Sequence, residues 1–184
     1  MGEEDYVVLV DRKNRVLGTA PKLKIHNNST PLHRAFSLFL FNKKGELLLQ
    51  QRSKKKKTWP GVWSNSCCGH PKLRESAINA GKRRLKDELG INKVQIYNLV
   101  PDFSYKAEKD GIVENELCPI LAGFTQDNAK INKDEVENIK WVNWKNFIDE
   151  IEENPKGYSP WCVLEVEILK NNEELLSRYK RFTS

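Results

Sequence analysis

Metal-binding and proton-transferring side chains cluster in the motifs of this sequence. The chain has three histidines: His26, His33 and His70. Glu114 and Glu116 alternate in a run typical of a β-strand, so both carboxylates should point to one face. Three imidazoles and two carboxylates complete a ligand set for a divalent ion, and mixed nitrogen and oxygen ligands suit zinc, manganese or iron better than calcium. The sequence therefore predicts a metal site. The alternative is that the three histidines are separate surface or core residues that bind no metal.

A phosphate-handling pattern begins next to Cys68. Gly69 and Glu75 precede the run R-R-L-K-D-E-L-G-I at residues 83–91, in register with the Nudix signature G-x5-E-x7-R-E-U-x-E-E-x-G-U, where U is aliphatic. Nudix hydrolases hold divalent ions with the glutamates of R-E-U-x-E-E. Arg84 and Asp87 replace the first two of these. Because a guanidinium removes one anion and adds a repelling cation, the scaffold resembles Nudix but a pyrophosphatase-type metal cluster is not expected.

Further motifs extend the resemblance over most of the chain. They are K-L-K-I-H at residues 22–26, L-H-R-A-F at 32–36, T-W-P-G-V-W-S-N-S-C-C-G-H-P at 58–71, G-I-V-E-N-E-L-C-P at 111–119 and S-P-W at 159–161. In this order they resemble the type 1 isopentenyl-diphosphate delta-isomerases. The resemblance implies an α/β fold, a Nudix-type α/β/α sandwich with a mixed sheet, and it places the reactive cysteine on Cys68 rather than Cys67.

The same resemblance assigns ligands and substrate contacts. The metal ligands it implies are His26, His33, His70, Glu114 and Glu116, holding Mn, Zn or Mg. Glu88 is the carboxylate that contacts the magnesium bound with the substrate diphosphate. The residues that face the diphosphate are Lys22, Arg52, Lys56 and Arg83. Several negative charges on a diphosphate require converging Arg and Lys donors, which agrees with this set.

The implied reaction moves the double bond of isopentenyl diphosphate to give dimethylallyl diphosphate, by adding one proton and removing another through a tertiary carbocation. Glu116 is the candidate acid, with Tyr105 as its hydrogen-bonding partner. Cys68 is the candidate base as a thiolate, with its pKa lowered by cations such as Arg83. Trp161 is placed over the carbocation, with Trp63 and Tyr105 nearby. Which of the two groups donates in each direction stays open.

Composition narrows the setting of the protein. The chain has 184 residues, a net charge of +6 and four cysteines. Its length predicts one domain over residues 1–184, and its few cysteines predict no disulfide framework. An acidic start without a signal peptide and the absence of a long apolar run predict a cytoplasmic protein with no membrane contact. The basic run at residues 54–57 is typical of a solvated loop, so no nucleic-acid partner is expected. The expected partner is a small isoprenoid diphosphate, with a monomer as the default.

Periodicity predicts the elements that carry these residues. Two hairpins are expected from the runs at 6–19 and 36–52, a helix over 75–89 ended by Gly90, and strands over 94–100, 113–124 and 139–142. Two helices should follow, one over 144–153 halted by Pro155 and a longer one from Pro160 capped by Ser159. Two rival functions remain, a Nudix hydrolase of nucleoside diphosphate derivatives and a catalytically idle Nudix-like binding module.

Overall fold

The computed structural model describes residues 5–184. Its strands are β1 (Tyr6–Val10), β2 (Val16–Pro21), β3 (His33–Arg34), β4 (Phe36–Phe41), β5 (Glu46–Arg52), β6 (Trp63–Ser64), β7 (Cys67–Gly69), β8 (Val94–Val100), β9 (Ser104–Lys109), β10 (Ile112–Leu117), β11 (Ile120–Thr125) and β12 (Val136–Asn143). Its α-helices are α1 (Lys22–Ile25), α2 (Ala77–Leu89), α3 (Trp144–Glu153), α4 (Pro160–Leu169) and α5 (Glu173–Thr183), and Pro155–Gly157 form a 3-10 turn.

The strands form two mixed sheets. The first has the order β2-β1-β3-β10-β9, in which only β3 and β10 run parallel. The second has the order β12-β5-β4-β11-β8, with β4 and β11 parallel, and the short strands β6 and β7 pair with β5 and β4. The hairpin of β1 and β2 is confirmed. The second predicted hairpin is also present, although β4 and β5 share only the pair Phe41 and Leu47.

Strand β4 separates two hydrophobic clusters. Its six residues, F-S-L-F-L-F, are all buried, as expected for a central strand covered on both faces. Phe39 and Phe41 pack in a cluster with residues of α3, α4 and α5, whereas Leu38 and Leu40 pack in a cluster with residues of α2. The second sheet therefore lies between helices on both sides, and the predicted α/β/α sandwich with a mixed sheet is confirmed. Ser37 is the one polar residue in this run.

Helix α2 follows the predicted signals closely. It begins at Ala77, where the Ser76 side chain accepts a hydrogen bond from the Asn79 amide. Gly90 ends it with φ of 66°, a left-handed conformation that glycine adopts without a steric penalty. Helix α3 covers the predicted residues 144–153 and is capped by Asn143. The 3-10 turn that follows begins at Pro155, the residue expected to halt the helix.

The strand predicted over residues 113–124 is wrong. Two strands replace it, because β10 pairs with β9 and β3 in the first sheet while β11 pairs with β4 and β8 in the second. Cys118 and Pro119 lie between them. Proline has no backbone N–H to donate, so the ladder ends there and the chain changes sheets.

The long helix predicted from Pro160 is also wrong. Helix α4 ends at Leu169, and α5 begins after Asn172, whose side chain accepts a hydrogen bond from the Leu175 amide. Ser159 does occupy the position before α4, but its hydroxyl forms no cap. It is bonded to the Ser64 hydroxyl at 2.8 Å instead.

No helix within residues 5–184 is both long and apolar enough to cross a membrane. The acidic start that argues against a signal peptide includes residues 1–4, which lie outside the described residues.

Candidate functional site

One cavity of about 590 Å³ collects residues from both sheets and from α4. Four side chains predicted to act on the substrate line it: Cys68, Tyr105, Glu116 and Trp161. Cys68 lies on β7 of the second sheet, while Tyr105 and Glu116 are paired residues of β9 and β10 in the first. The cavity therefore places a thiol and a carboxylate, which belong to different sheets, in front of a shared space.

The three histidines meet beside this cavity. His26 Nδ1 lies 2.7 Å from the Lys22 carbonyl oxygen, and His33 Nδ1 lies 2.9 Å from that of Pro31. Each Nδ1 can therefore donate to a carbonyl, and Nε2 is the nitrogen that faces the carboxylates or a metal ion. His33 Nε2 and His70 Nε2 are 3.3 Å apart. One ligand atom from each of the three imidazoles lies within 4.8 Å of the others.

Glu114 and Glu116 complete the group. Glu114 Oε2 lies 3.2 Å from His26 Nε2, and Glu116 Oε1 lies 3.2 Å from His70 Nε2 and 3.5 Å from His33 Nε2. All five predicted ligands thus meet at one place. Glu114 Oε2 is buried without a hydrogen bond in the described part of the chain, and so is His70 Nδ1. Burial lowers the pKa of His70 to about 4, so its imidazole is neutral, the form that binds metals.

These observations show that the donor set fits a divalent cation. Buried, unpaired carboxylate and imidazole atoms are costly unless a cation or a proton satisfies them. Hard oxygen and borderline nitrogen donors in this ratio match the ligands of first-row divalent metals.

Tyr105 supports Glu116 from the neighbouring strand. Its hydroxyl donates a hydrogen bond of 2.8 Å to Glu116 Oε2. Burial and the nearby Glu116 carboxylate raise the pKa of Tyr105 well above its usual value, so it remains a donor. Burial alone would raise the pKa of Glu116, but hydrogen bonds from His33 and His70 outweigh it and hold that pKa well below its usual range. The carboxylate is therefore ionised in the metal-free protein.

Cys68 does not have the lowered pKa expected from its motif. Burial, followed by the negative charge of Glu165, raises the pKa of the thiol to about 12. Arg52 is the cation that acts against this increase, whereas Arg83 is bound to Glu75 at 2.7 Å and to the His70 carbonyl. In the substrate-free protein the sulfur is therefore a thiol, and the expectation of a thiolate next to Arg83 is wrong.

The cysteine sulfur is held by short polar side chains. It lies 3.1 Å from Asn65 Oδ1 and 3.5 Å from Ser37 Oγ. Its neighbour Cys67 is fully buried and belongs to the cluster around α2. Successive residues of a strand point to opposite faces, so only one of the two thiols reaches the cavity.

Trp161 presents its ring to the cavity and is anchored at its polar edge. Its Nε1 donates hydrogen bonds to Ser64 Oγ at 3.0 Å and to Asn65 Oδ1 at 3.2 Å. Its ring centroid lies 5.8 Å from that of Tyr105 and 5.3 Å from that of Trp59. The second tryptophan named from sequence, Trp63, is not among the residues that line the cavity. The Lys140 ammonium lies 5.0 Å from its ring.

Sequence reasoning missed three supporting residues, Trp59, Ser64 and Asn65. All three fall in the T-W-P-G-V-W-S-N-S block that carried the family resemblance. The block itself was therefore the only available signal, because the contacts are made to Trp161, about a hundred residues along the chain.

Cations line the same cavity, and the Arg52 guanidinium lies 5.5 Å from the ring centroid of Trp161. Lys22, Arg52 and Lys56 are present there as predicted, and Arg84 joins them. Arg83 instead lines an adjoining cavity of about 400 Å³, which shares Lys22 and Arg84 with the first. The positive charge of this wall is suited to a diphosphate.

Glu88 lies apart from the histidine group. It is buried and accepts hydrogen bonds from Arg84 at 2.5 Å and from Gln50 at 3.1 Å. Arg84 thus neutralises a carboxylate of the Nudix helix and also contacts Glu135 at 2.8 Å. Within residues 5–184, two groups of side chains could hold a metal, and Glu88 belongs to neither.

Comparison with known proteins identifies the family. Residues 31–162 match the model of the NUDIX domain. An isopentenyl-diphosphate Delta-isomerase of Salmonella heidelberg is 40% identical over 179 residues, which cover 97% of this chain and 99% of that protein. The chain belongs to the isopentenyl-diphosphate Delta-isomerase family. A second member, from Saccharopolyspora erythraea, is 42% identical over 163 residues, covering 88% of this chain and 84% of its own.

Solved structures show the same fold at lower identity. The protein DR0079 of Deinococcus radiodurans superposes with a TM-score of 0.64 at 14% identity. The superposition covers 98% of this chain and 100% of the DR0079 chain. A MutT protein of Methanosarcina mazei Go1 has a TM-score of 0.58 at 19% identity, with coverage of 82% and 94%. The Nudix fold and the resemblance to isopentenyl-diphosphate Delta-isomerases are therefore confirmed, and the family favours isomerisation over the hydrolase alternative.

Proposed function

We propose that this protein interconverts isopentenyl diphosphate and dimethylallyl diphosphate. The observation that carries the proposal is that Cys68 and Glu116, from two different sheets, line one cavity. The reaction requires one proton to be added and another to be removed, and these two groups can exchange protons with a hydrocarbon held between them. The family names of the relatives support the same reaction.

The diphosphate binds to the cationic wall of the cavity. Lys22, Arg52 and Lys56 line this wall, and Arg83 approaches from the adjoining cavity. In the substrate-free protein Lys56 is paired with Glu135, so substrate binding has to compete with that carboxylate. Binding by several cations holds the hydrocarbon end in the deeper part of the cavity, between the thiol and the carboxylate.

Proton transfer is the task of Cys68 and Glu116. Burial raises the pKa of Cys68, whereas hydrogen bonds from His33 and His70 lower that of Glu116, so the two groups differ in their tendency to hold a proton. One group gives a proton to the terminal carbon of the alkene, which leaves a tertiary cation. The other group removes a proton from the carbon on the other side of the cationic centre, and the electron pair left behind forms the new double bond. Tyr105 holds the Glu116 carboxyl in place through its 2.8 Å hydrogen bond.

The carbocation between these two steps needs stabilisation without a nucleophile. The ring faces of Trp161 and Tyr105 supply it, each contributing about 0.5–2 kcal/mol. Trp161 is 3% exposed, so the ring is kept in place and water is excluded from its surroundings. Exclusion of water prevents capture of the cation as an alcohol.

Two metal sites accompany this function. His26, His33, His70, Glu114 and Glu116 would hold a divalent ion, with manganese, zinc or magnesium as candidates. Glu88 would contact a magnesium ion that arrives with the diphosphate only by giving up its hydrogen bonds with Arg84. When bound, the first ion withdraws electron density from the Glu116 carboxyl and so sharpens its acidity. The support for the first site is the unpaired Glu114 oxygen and His70 nitrogen.

The setting follows from the same proposal. We propose one domain over residues 1–184; within residues 5–184 the support is that both sheets and α4 line the same cavity. The protein works in the cytoplasm as a monomer, on a small isoprenoid diphosphate, without a nucleic acid or a membrane as partner. Its thiol requires a reducing compartment.

The test is to incubate the protein with isopentenyl diphosphate, a divalent metal and heavy water. Formation of deuterated dimethylallyl diphosphate is expected. Cys68→Ala and Glu116→Gln should abolish it, whereas Cys67→Ala, which changes the thiol on the opposite face, should retain it. Turnover by either of the first two variants would refute the assigned roles, and release of phosphate from nucleoside diphosphate derivatives would support the hydrolase instead.

A further inference from the structure

A buried acid lies behind the cysteine and has no place in the reaction described above. Glu165, on α4, is completely buried. One of its oxygens, Oε2, lies 2.6 Å from Ser37 Oγ, and the other, Oε1, has no hydrogen-bond partner in the described residues. Ser37 in turn lies 3.5 Å from the Cys68 sulfur. Two polar residues thus occupy an apolar core and form a chain that ends at the sulfur.

The surroundings of Glu165 do not suit a negative charge. Its charged and titratable neighbours are Glu116 on β10 and three thiols: Cys68 on β7, Cys118 after β10 and Cys162 on α4. Within residues 5–184, no Lys, Arg or His forms an ion pair with it. A buried carboxylate without a cation is strongly disfavoured, and burial raises the pKa of Glu165 well above its usual value. The side chain is therefore a neutral carboxylic acid.

The hydrogen bonds around Ser37 then have one consistent arrangement. A hydroxyl donates one hydrogen bond and accepts two. Asn65 Nδ2 donates to Ser37 Oγ at 2.8 Å, and Glu165 Oε2 lies 2.6 Å from the same oxygen. A proton on Oε1 would be buried without an acceptor, so the neutral acid carries its proton on Oε2 and is the donor to Ser37. Both acceptor positions are then filled, so the proton of Ser37 points to the remaining neighbour, Cys68. An ionised Glu165 would take that proton for itself.

We propose that Glu165 is a positioning residue: as a neutral acid it donates a hydrogen bond to Ser37 and turns the Ser37 hydroxyl toward the sulfur of Cys68. This role rests on the proposed isomerase function. It gives the sulfur a second fixed contact beside Asn65 Oδ1. Two contacts define the orientation of the sulfur toward the substrate, whereas a single contact leaves it free to rotate.

Kinetics of single and double variants test the role. Glu165→Gln keeps a side chain that can donate to Ser37, so its kcat should stay close to that of the unmodified protein. Glu165→Leu loses the donor and should lower kcat about tenfold, the value of one hydrogen bond, with KM unchanged. Ser37→Ala should lower kcat similarly, and Glu165→Leu should have no further effect in that background. Glu167→Gln, on the exposed side of the same helix, is the control and should be unchanged.

Infrared spectroscopy tests the protonation state without activity. The difference spectrum between the unmodified protein and Glu165→Gln at neutral pH should contain the carbonyl band of a carboxylic acid. A carboxylate band in its place, or a Glu165→Gln variant as impaired as Glu165→Leu, would overturn the inference. Full activity of Glu165→Leu would do the same. An unmodified protein that does not isomerise the substrate would refute the proposed function instead, and it is recognised by the absence of turnover before any variant is compared.

Discussion

Replacement of Glu135 by Gln should destabilise the protein in a pH-dependent manner. Glu135 contacts Arg84 at 2.8 Å and forms an ion pair with Lys56. Burial acts to raise the pKa of this carboxyl, but the two cations outweigh it and lower the pKa from 4.5 to about 2. A folded-state pKa below that of the unfolded chain means that ionisation stabilises the fold.

The size of the effect follows from that pKa. The difference between 4.5 and about 2 corresponds to about 3 kcal/mol, at about 1.4 kcal/mol for each tenfold change. The side chain is 27% exposed, so solvent screens part of this, and we expect about 2 kcal/mol. This stability is fully present above the unfolded pKa of 4.5 and is lost as the pH falls toward about 2.

Urea unfolding at several pH values measures the effect. At neutral pH, Glu135→Gln should lower the free energy of unfolding by about 2 kcal/mol, and the difference from the unmodified protein should shrink steadily below about pH 4.5. The matched control is Asp134→Asn, because Asp134 pairs with Lys55 in solvent and its loss should change little. A difference that is the same at neutral and at acidic pH would show that the carboxylate charge is not responsible.

Further predictions concern the catalytic cavity. Tyr105→Phe removes the hydrogen bond to Glu116 and should lower kcat roughly 10–100-fold with KM nearly constant in steady-state assays; an unchanged kcat would contradict the role of Tyr105. His33→Ala should weaken divalent-metal binding by more than about tenfold, as measured by metal titration, and equal affinity would contradict the ligand set. Burial raises the pKa of Cys68 to about 12. The rate of its alkylation by iodoacetamide, measured without added metal, should therefore rise about tenfold per pH unit between about pH 8 and 10. A plateau below about pH 9 would contradict that pKa.

Local signals in the sequence were sufficient for several elements. The bounds of α3 were predicted correctly, because an amphipathic pattern begins after Asn143 and a proline follows it. Gly90 marked the end of α2, since a left-handed residue at that position favours glycine. These features depend on residues a few positions apart, so the sequence contains all that is needed.

The elements that were predicted wrongly depend on contacts between distant parts of the chain or on a side-chain cap. Residues 113–124 were predicted as one strand, but their partners belong to two sheets. Pro119 was the available signal. The run after Pro160 likewise reads as one long helix, whereas Asn172 starts a new one by capping with its side chain. An asparagine in a helical pattern does not by itself predict a new helix start, because asparagine also occurs within helices.

The residues named from the sequence lie close together, but the pKa of Cys68 and the partner of Arg83 were not predicted. All five proposed metal ligands lie together. They could be named from the sequence because their motifs were recognised as one set. The high pKa of Cys68 could not be predicted, since it depends on burial and on Glu165, about a hundred residues away. The partner of Arg83 was not predicted either. Its hydrogen bond to Glu75 forms only when α2 has folded.

The crossing of one continuous segment between the sheets has a consequence for protein engineering. Inserting a residue at Cys118 or Pro119 would move β10 relative to β11, so the carboxylates would lose their alignment with His33 or β11 would slip against β4. The turn at Asp110 and Gly111 is exposed, and no atom lies close to the Cα of Gly111 on its open side, although its φ of 74° requires that the glycine itself be kept. Epitope tags, fluorophores or permuted termini should therefore be tolerated at that turn and rejected at Cys118 and Pro119.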